Sequence, residues 1–212
     1  MAEVDPTHTA GGDAPLLRLP LDGLHRALGA RFGGFAGYDM PIQYPAGLLA
    51  EHAHTRTQAG LFDVSHMGPC FLGLPKDHGL EPDAAHAAIA AQIERLVPAD
   101  IAGLKPGQVR YTMLLNAEGG VLDDLMVARP PELAAQGDLY LVVNAGCKRD
   151  DWALIAATVD AGIRLVRADD RALLALQGPL AAQALGRVIP AAPSLGFMTY
   201  ARLDAGAFGT LT

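Results

Sequence analysis

The chain has 212 residues, half of them hydrophobic, with 16 basic and 23 acidic residues and a net charge of −7. That length supports a sizeable core in one large domain or two small ones, and the acidic balance, with no basic stripe, argues against nucleic-acid binding. No apolar run approaches the ~18 residues of a membrane span, and the polar start MAEVDPTHTAGGDAPL lacks the basic and apolar regions of a secretion signal. Residues 1–16 read as a flexible leader on a bacterial-type cytoplasmic protein. Cys70 and Cys147 have neither metal spacing nor a disulfide framework and read as thiols in a reducing compartment.

In chain order, PLDGLHRALGARFG places Leu21, Leu24, Leu28 and Phe32 at near-helical spacing and predicts a short amphipathic helix. FGGFAGYDMPIQYPAG, rich in glycine and aromatics, predicts irregular, tightly turning backbone. LLAEHAHTRTQAG reads as a helix ending at Gly60, a C-cap candidate. LFDVSHMGPCFLGL reads as strand, and EPDAAHAAIAAQIERLV as a helix ending before Pro98.

Three strand candidates follow: Gln108–Leu115, Val121–Ala128 and Asp138–Asn144. Their connections, NAEGG and RPPELAAQG, are turn chemistry, so a meander is the economical arrangement. Lys148–Gly162 reads as a helix capped by Gly162. IRLVRA and ALLALQGP read as short strands, LAAQALGRVI as a helix, and YARLDAGAFGTLT as a strand pair. Antiparallel strands segregated from helices give an α+β fold.

Within VLDDLMVA, strand alternation sends Asp123 and Asp124 to opposite faces. An exposed face explains only one of them. A turn centred near Glu118 and Gly119 pairs Asp124 with Met113, on the face of Tyr111 and Leu115. A second hairpin centred near Leu133 pairs Asp124 with Val143, one residue from Asn144, and a one-residue slip exchanges Asp123 for Asp124 on that face. A carboxylate half-buried among Tyr111, Met113 and Met126 is costly without partners, and such a position suits a group that accepts or orients a proton.

Other candidates carry less. Asp63, Ser65 and His66 hold the residue types of a hydrolytic triad, but Ser65 and His66 are adjacent and point apart in a strand. Asp63 and Ser65 read as turn hydrogen-bonding residues. His52 and His54 project about 200° apart on a helix and do not chelate one metal. GGDAP and FGGFAG lack the dinucleotide-binding pattern. Tyr38, Met40 and Tyr44 surround a turn, as core or as a pocket wall.

FAGYDMPIQY, RTQAGLFDVSHMG, YTMLLNAEGGVLDDLMV, LYLVVNAG and LALQGP occur in an order that resembles the T-protein family of the glycine cleavage system, the tetrahydrofolate-dependent aminomethyltransferases. The resemblance runs from about Leu19 to the end. It implies an α+β chain with antiparallel sheets and flanking helices, the first part of a three-domain folate-binding cloverleaf.

The implied reaction moves a one-carbon unit from the aminomethyl-dihydrolipoyl arm of a lipoylated H-protein to tetrahydrofolate, releasing ammonia and using no metal. By the same resemblance Asp124 is the catalytic carboxylate, Met67, Tyr111 and Asn144 line the folate pocket, and Asp123 is structural.

Family members run to about twice this length, and the chain stops short of their G-Y-T-G-E segment and C-terminal domain, so an N-terminal fragment is expected. By analogy, residues 17–66 and 168–212 form an incomplete first domain and 67–167 a second α+β domain. Two alternatives stay open. One is a non-catalytic folate-binding module of iron–sulfur assembly, although its K-G-C-x-x-G-Q motif is absent. The other is the folate domain of a sarcosine or dimethylglycine dehydrogenase.

Overall fold

The computed structural model describes residues 15–206 and 209–211, so the leader expected over residues 1–16 lies almost wholly outside the described residues. Its central feature is a five-stranded antiparallel sheet. The strands are β4 (Gly68–Gly73), β5 (Val109–Leu115), β6 (Val121–Ala128), β7 (Asp138–Val143) and β8 (Arg164–Arg167), in the order β5-β6-β7-β4-β8. The meander β5-β6-β7 is the one the turn chemistry predicts.

One face of this sheet packs against α3 (Pro82–Ile93) and α4 (Lys148–Thr158). Leu72, Ile89, Leu139, Leu141 and Ile155 are fully buried there, each worth roughly 1.5–3 kcal/mol of apolar burial. The alternation is regular: Thr112 and Leu114, Leu125 and Val127, and Leu139, Leu141 and Val143 point inward, while Tyr111, Met113 and Met126 point out. Gly68 lets α4 approach closely. A Cβ there would lie 2.6 Å from Val143 Cγ2 and 2.8 Å from Lys148 Cβ.

Smaller elements flank the sheet. α1 (Asp22–Ala27) leads into the hairpin β1 (Arg31–Phe35) and β2 (Tyr38–Gln43), and α2 (Leu48–Thr57) follows. β3 (Gly60–Asp63) pairs antiparallel with β9 (Leu174–Gln177), joining segments more than 100 residues apart. α5 (Ala181–Gly186) and the strand pair β10 (Leu203–Asp204) and β11 (Thr210–Leu211) complete the described chain.

Four local expectations are corrected. The glycine-rich stretch expected to be irregular is the β1–β2 hairpin, because Ala36 (φ 49°) and Gly37 (φ 81°) supply consecutive positive-φ residues for a tight turn. α1 buries Asp22 and His25 and exposes Leu24 and Leu28, the reverse of the apolar pattern. The cause is polar: His25 is drawn inward by the bonds described below.

α2 ends at Thr57 with Gln58 as its C-cap, and Gly60 opens β3 rather than capping the helix. α4 ends at Thr158 with Val159 as its C-cap, four residues before Gly162.

Candidate functional site

The sequence-predicted residues come together across one end of the main sheet. Met113 pairs with Asp124 as expected, and Tyr111 pairs with Met126 on the same outward face. Between β6 and β7 the register is one residue away from the expected one. Leu125, not Asp124, opposes Val143, so the same register carried one step further sets Asp124 opposite Asn144.

In the connection, the Arg129 side chain donates to Gln136 Oε1 (2.5 Å) and Leu104 O (2.8 Å), while Gln136 Nε2 donates to Pro130 O (2.7 Å). Across the next strand, Gly68 opposes Val143, so Met67 falls beside Asn144. Asp124, Asn144 and Met67 thus form a row over β6, β7 and β4, with Tyr111 on β5 beyond.

Asn144 is the hub of this row. Its Nδ2 donates to Asp123 Oδ1 (2.9 Å), to the Asp124 backbone oxygen (3.2 Å) and to Asp124 Oδ1. Its backbone N–H also reaches Asp123 Oδ2 (3.2 Å). Both aspartates are half-buried, but they differ in role. Asp123 is on the helix-facing side and is engaged by the turn that leads into α4. Asp124 is on the open face, and its Oδ2 accepts no hydrogen bond among the described residues.

An irregularity at Leu114/Leu115 leaves Leu122 as an extra residue next to the pair. Such bulges re-aim neighbouring side chains.

A second polar group centres on His25. His25 bonds Tyr44 Oη through Nδ1 (2.7 Å) and Asp63 Oδ2 through Nε2 (2.8 Å). Asp63 Oδ1 accepts the Ser65 N–H (2.9 Å), while Ser65 Oγ accepts from Leu173 N (2.9 Å). Asp63, at the end of β3, and Ser65 therefore hydrogen-bond the following turn, as expected, and His66 takes no part in a triad. Burial and then the charge of Lys148 hold the His66 imidazole below its usual pKa. Burial, followed by Asp63 and Glu51, pushes the Tyr44 phenol up.

The buried Lys148 ammonium donates to Tyr38 Oη (2.7 Å) and His66 O (2.9 Å). It sits in the wall of a cavity of about 790 Å³, with Tyr38, Trp152 and Met67. Of the four predicted site residues, Met67 lines that cavity and Tyr111 is exposed. Among the described residues no cluster of three or more His, Cys, Asp or Glu side chains is arranged to hold a metal ion.

Sequence reasoning missed Asp151 and His25. Asp151 is 3 % exposed and lies within hydrogen-bonding reach of Asp123. A signal was present: Lys148, Asp151, Trp152 and Ile155 share one helical stripe, which puts a carboxylate in an otherwise inward-facing row. His25 had no such signal, because its partners are 19 and 38 residues away.

Residues 21–211 match the GCVT N-terminal domain family. The chain is 39 % identical over 178 residues to an aminomethyltransferase of a Picosynechococcus species, covering 82 % of this chain and 44 % of that protein. It is 38 % identical over 198 residues to the human mitochondrial aminomethyltransferase, covering 89 % of this chain and 44 % of that one. The crystal structure of the glycine cleavage system aminomethyltransferase T from Bartonella henselae superposes with a TM-score of 0.76 at 39 % identity, over 90 % of this chain and 48 % of that chain. The chain thus spans about half the length of the curated relatives it matches. On sequence and fold together, the protein belongs to the GCVT N-terminal domain family of aminomethyltransferase-related proteins.

Proposed function

We propose that this chain provides the folate-facing carboxylate of an aminomethyltransferase of the glycine cleavage system. The reaction moves the one-carbon unit from the aminomethyl-dihydrolipoyl arm of H-protein to tetrahydrofolate and releases ammonia. The observation that carries the reading is the row Asp124–Asn144–Met67 on an open sheet face, with Tyr111, Met113 and Met126 exposed beside it.

The residues suit a flat amine-bearing heterocycle. Tyr111, 59 % exposed, offers an aromatic face, and the two methionines offer polarizable contact. Bound tetrahydrofolate supplies the secondary arylamine nitrogen that accepts the one-carbon unit. Asp124 has one carboxylate oxygen anchored by Asn144 and the other free to hold a proton or a developing positive charge. Asn144 keeps that carboxylate from turning away, so the ordering is completed before the ligand arrives. Asp123 serves the fold, tying the end of β7 to β6.

The division into residues 67–167 and a second unit from 17–66 and 168–212 is part of the same proposal. It draws support from the five-stranded sheet, which falls within 67–167, and from the β3–β9 pair, which ties the two flanking stretches.

Calorimetric titration with tetrahydrofolate tests the reading. Binding is expected to be weaker than to a full-length relative and to fall about tenfold in Tyr111→Ala, the scale of one lost aromatic stack. Equal affinity in Tyr111→Ala and the parent chain overturns the placement.

A further inference from the structure

Asp151 is buried in the first turns of α4 with its Oδ2 unpartnered among the described residues. The titratable groups around it are Asp123 from β6, Cys70 from β4, and Asp150 and Cys147 from its own helix and cap. None of these four is a cation; the buried Lys148 ammonium, three residues earlier on the same face of α4, is engaged by Tyr38 Oη and His66 O.

The pair is asymmetric. Asp123 receives two N–H bonds from Asn144, so the ionised form is favoured there. Asp151 receives no such donors among the described residues. Burial first, and then Asp123, push its carboxyl up to about 7. Two carboxyls in contact in a dry site share one proton rather than ionise together.

The consequence passes through Asn144. Its Nδ2 carries two hydrogens, and three oxygens claim them: Asp123 Oδ1, the Asp124 backbone oxygen and Asp124 Oδ1. When Asp151 donates its proton to Asp123, the pull of Asp123 on that amide weakens, and the hydrogens are freer for Asp124. When the proton leaves, Asp123 competes more strongly.

We propose that Asp151 is a positioning residue, which holds a proton against Asp123 and, through the Asn144 amide, sets how firmly the Asp124 carboxylate is anchored. The inference rests on the reading of Asp124 as the folate-facing carboxylate.

The test is side-chain NMR of the whole chain across pH. The Asp151 carboxyl carbon is expected to titrate near neutrality, and the Asn144 Nδ2 resonances to shift with the same midpoint. In Asp151→Asn, which keeps a donor but cannot titrate, the neutral-pH step of Asn144 is expected to vanish while its wild-type low-pH position is kept. In Asp151→Leu, Asn144 is expected near the wild-type high-pH position; if that variant does not fold, Asp151→Asn decides alone.

An Asp151 midpoint in the ordinary carboxylate range overturns the proposal, as does an Asn144 step that survives in Asp151→Asn. A tetrahydrofolate titration of the same samples separates the two ideas. No binding at any pH overturns the folate reading, whatever the carboxyl titrations show.

Discussion

Asn144 donates one side-chain amide to both Asp123 and Asp124, so a single residue ties the fold-holding carboxylate to the open one. Its removal is expected to act on both. Asn144→Ala should cost about 1–3 kcal/mol of stability, because two half-buried carboxylates lose a donor. It should also lower methylene transfer by at least tenfold in a full-length protein carrying the same site. Urea unfolding and a transfer assay check the two effects, and a loss of stability with unchanged transfer would argue that Asp124 needs no anchor.

The two aspartates should separate cleanly on substitution. Asp124→Asn is expected to abolish transfer in such a full-length protein while moving the unfolding midpoint by only a few degrees, since its Oδ2 holds nothing in the fold. Asp123→Asn is expected to destabilise by about 1–3 kcal/mol and to retain part of the activity. Retained transfer in Asp124→Asn sinks the assignment of that residue.

pH dependence carries its own sign. Asp151 is held at about 7, against 3.8 for the ordinary group, by burial first and then by Asp123. Between those values the folded state binds more protons than the unfolded chain, so this group's contribution to stability falls as pH rises through the window. Asp151→Asn is therefore expected to gain on the parent chain by roughly 2 kcal/mol between pH 5 and 8. Paired unfolding curves at the two pH values measure the difference, and a pH-independent difference counts against the shared proton.

The His25 group makes a purely structural prediction. His25 links α1 to Tyr44 and Asp63 from a buried position, so His25→Ala takes away the partner of Tyr44 Oη and of Asp63 Oδ2. A loss of about 2–4 kcal/mol is expected, one to three for each stranded polar group less partial rehydration. Thermal denaturation of His25→Ala beside His25→Gln tests it, the glutamine restoring part of the loss.

Thiol chemistry gives a further check. Burial pushes the Cys70 thiol up to about 12, against a smaller downward pull from the Trp152 contact and with minor upward pushes from Asp151 and Asp169. Burial and then Asp123 also raise Cys147, which is only half-buried. Alkylation of the native chain is expected to label Cys147 slowly and Cys70 only after unfolding. Rapid labelling of Cys70 in the folded chain would contradict the packing of β4 against α4.

How much could be read in advance depended on distance along the chain. The β5–β6 register was legible because its turn is local: Asn116 Oδ1 accepts from the N–H groups of Glu118 and Gly120. The β6–β7 register was read one residue off; Arg129 and Gln136 bury polar atoms in the connection, and no apolar periodicity reports that.

In α1 the visible leucine pattern lost to His25, whose partners lie elsewhere in the sequence. The β1–β2 hairpin was hidden by Ala36, a residue that seldom takes positive φ. At the site, Asp124 and Tyr111 followed from alternation, whereas Asp151 needed the helix to be laid on the sheet.

Gly68 sets how deep that helix lies. With only a hydrogen facing Val143, Lys148 and Trp152, it fixes the seat of α4 on β4 by contact rather than by any bond. A methyl group in that space would have to lift the start of the helix, since a well-packed interior has no slack to absorb it. The lift would draw the Lys148 ammonium from the Tyr38 hydroxyl and the Asp151 carboxyl from Asp123 in one movement. A single hydrogen atom thus acts as a mechanical stop shared by two polar groups one turn apart on the same face of a helix.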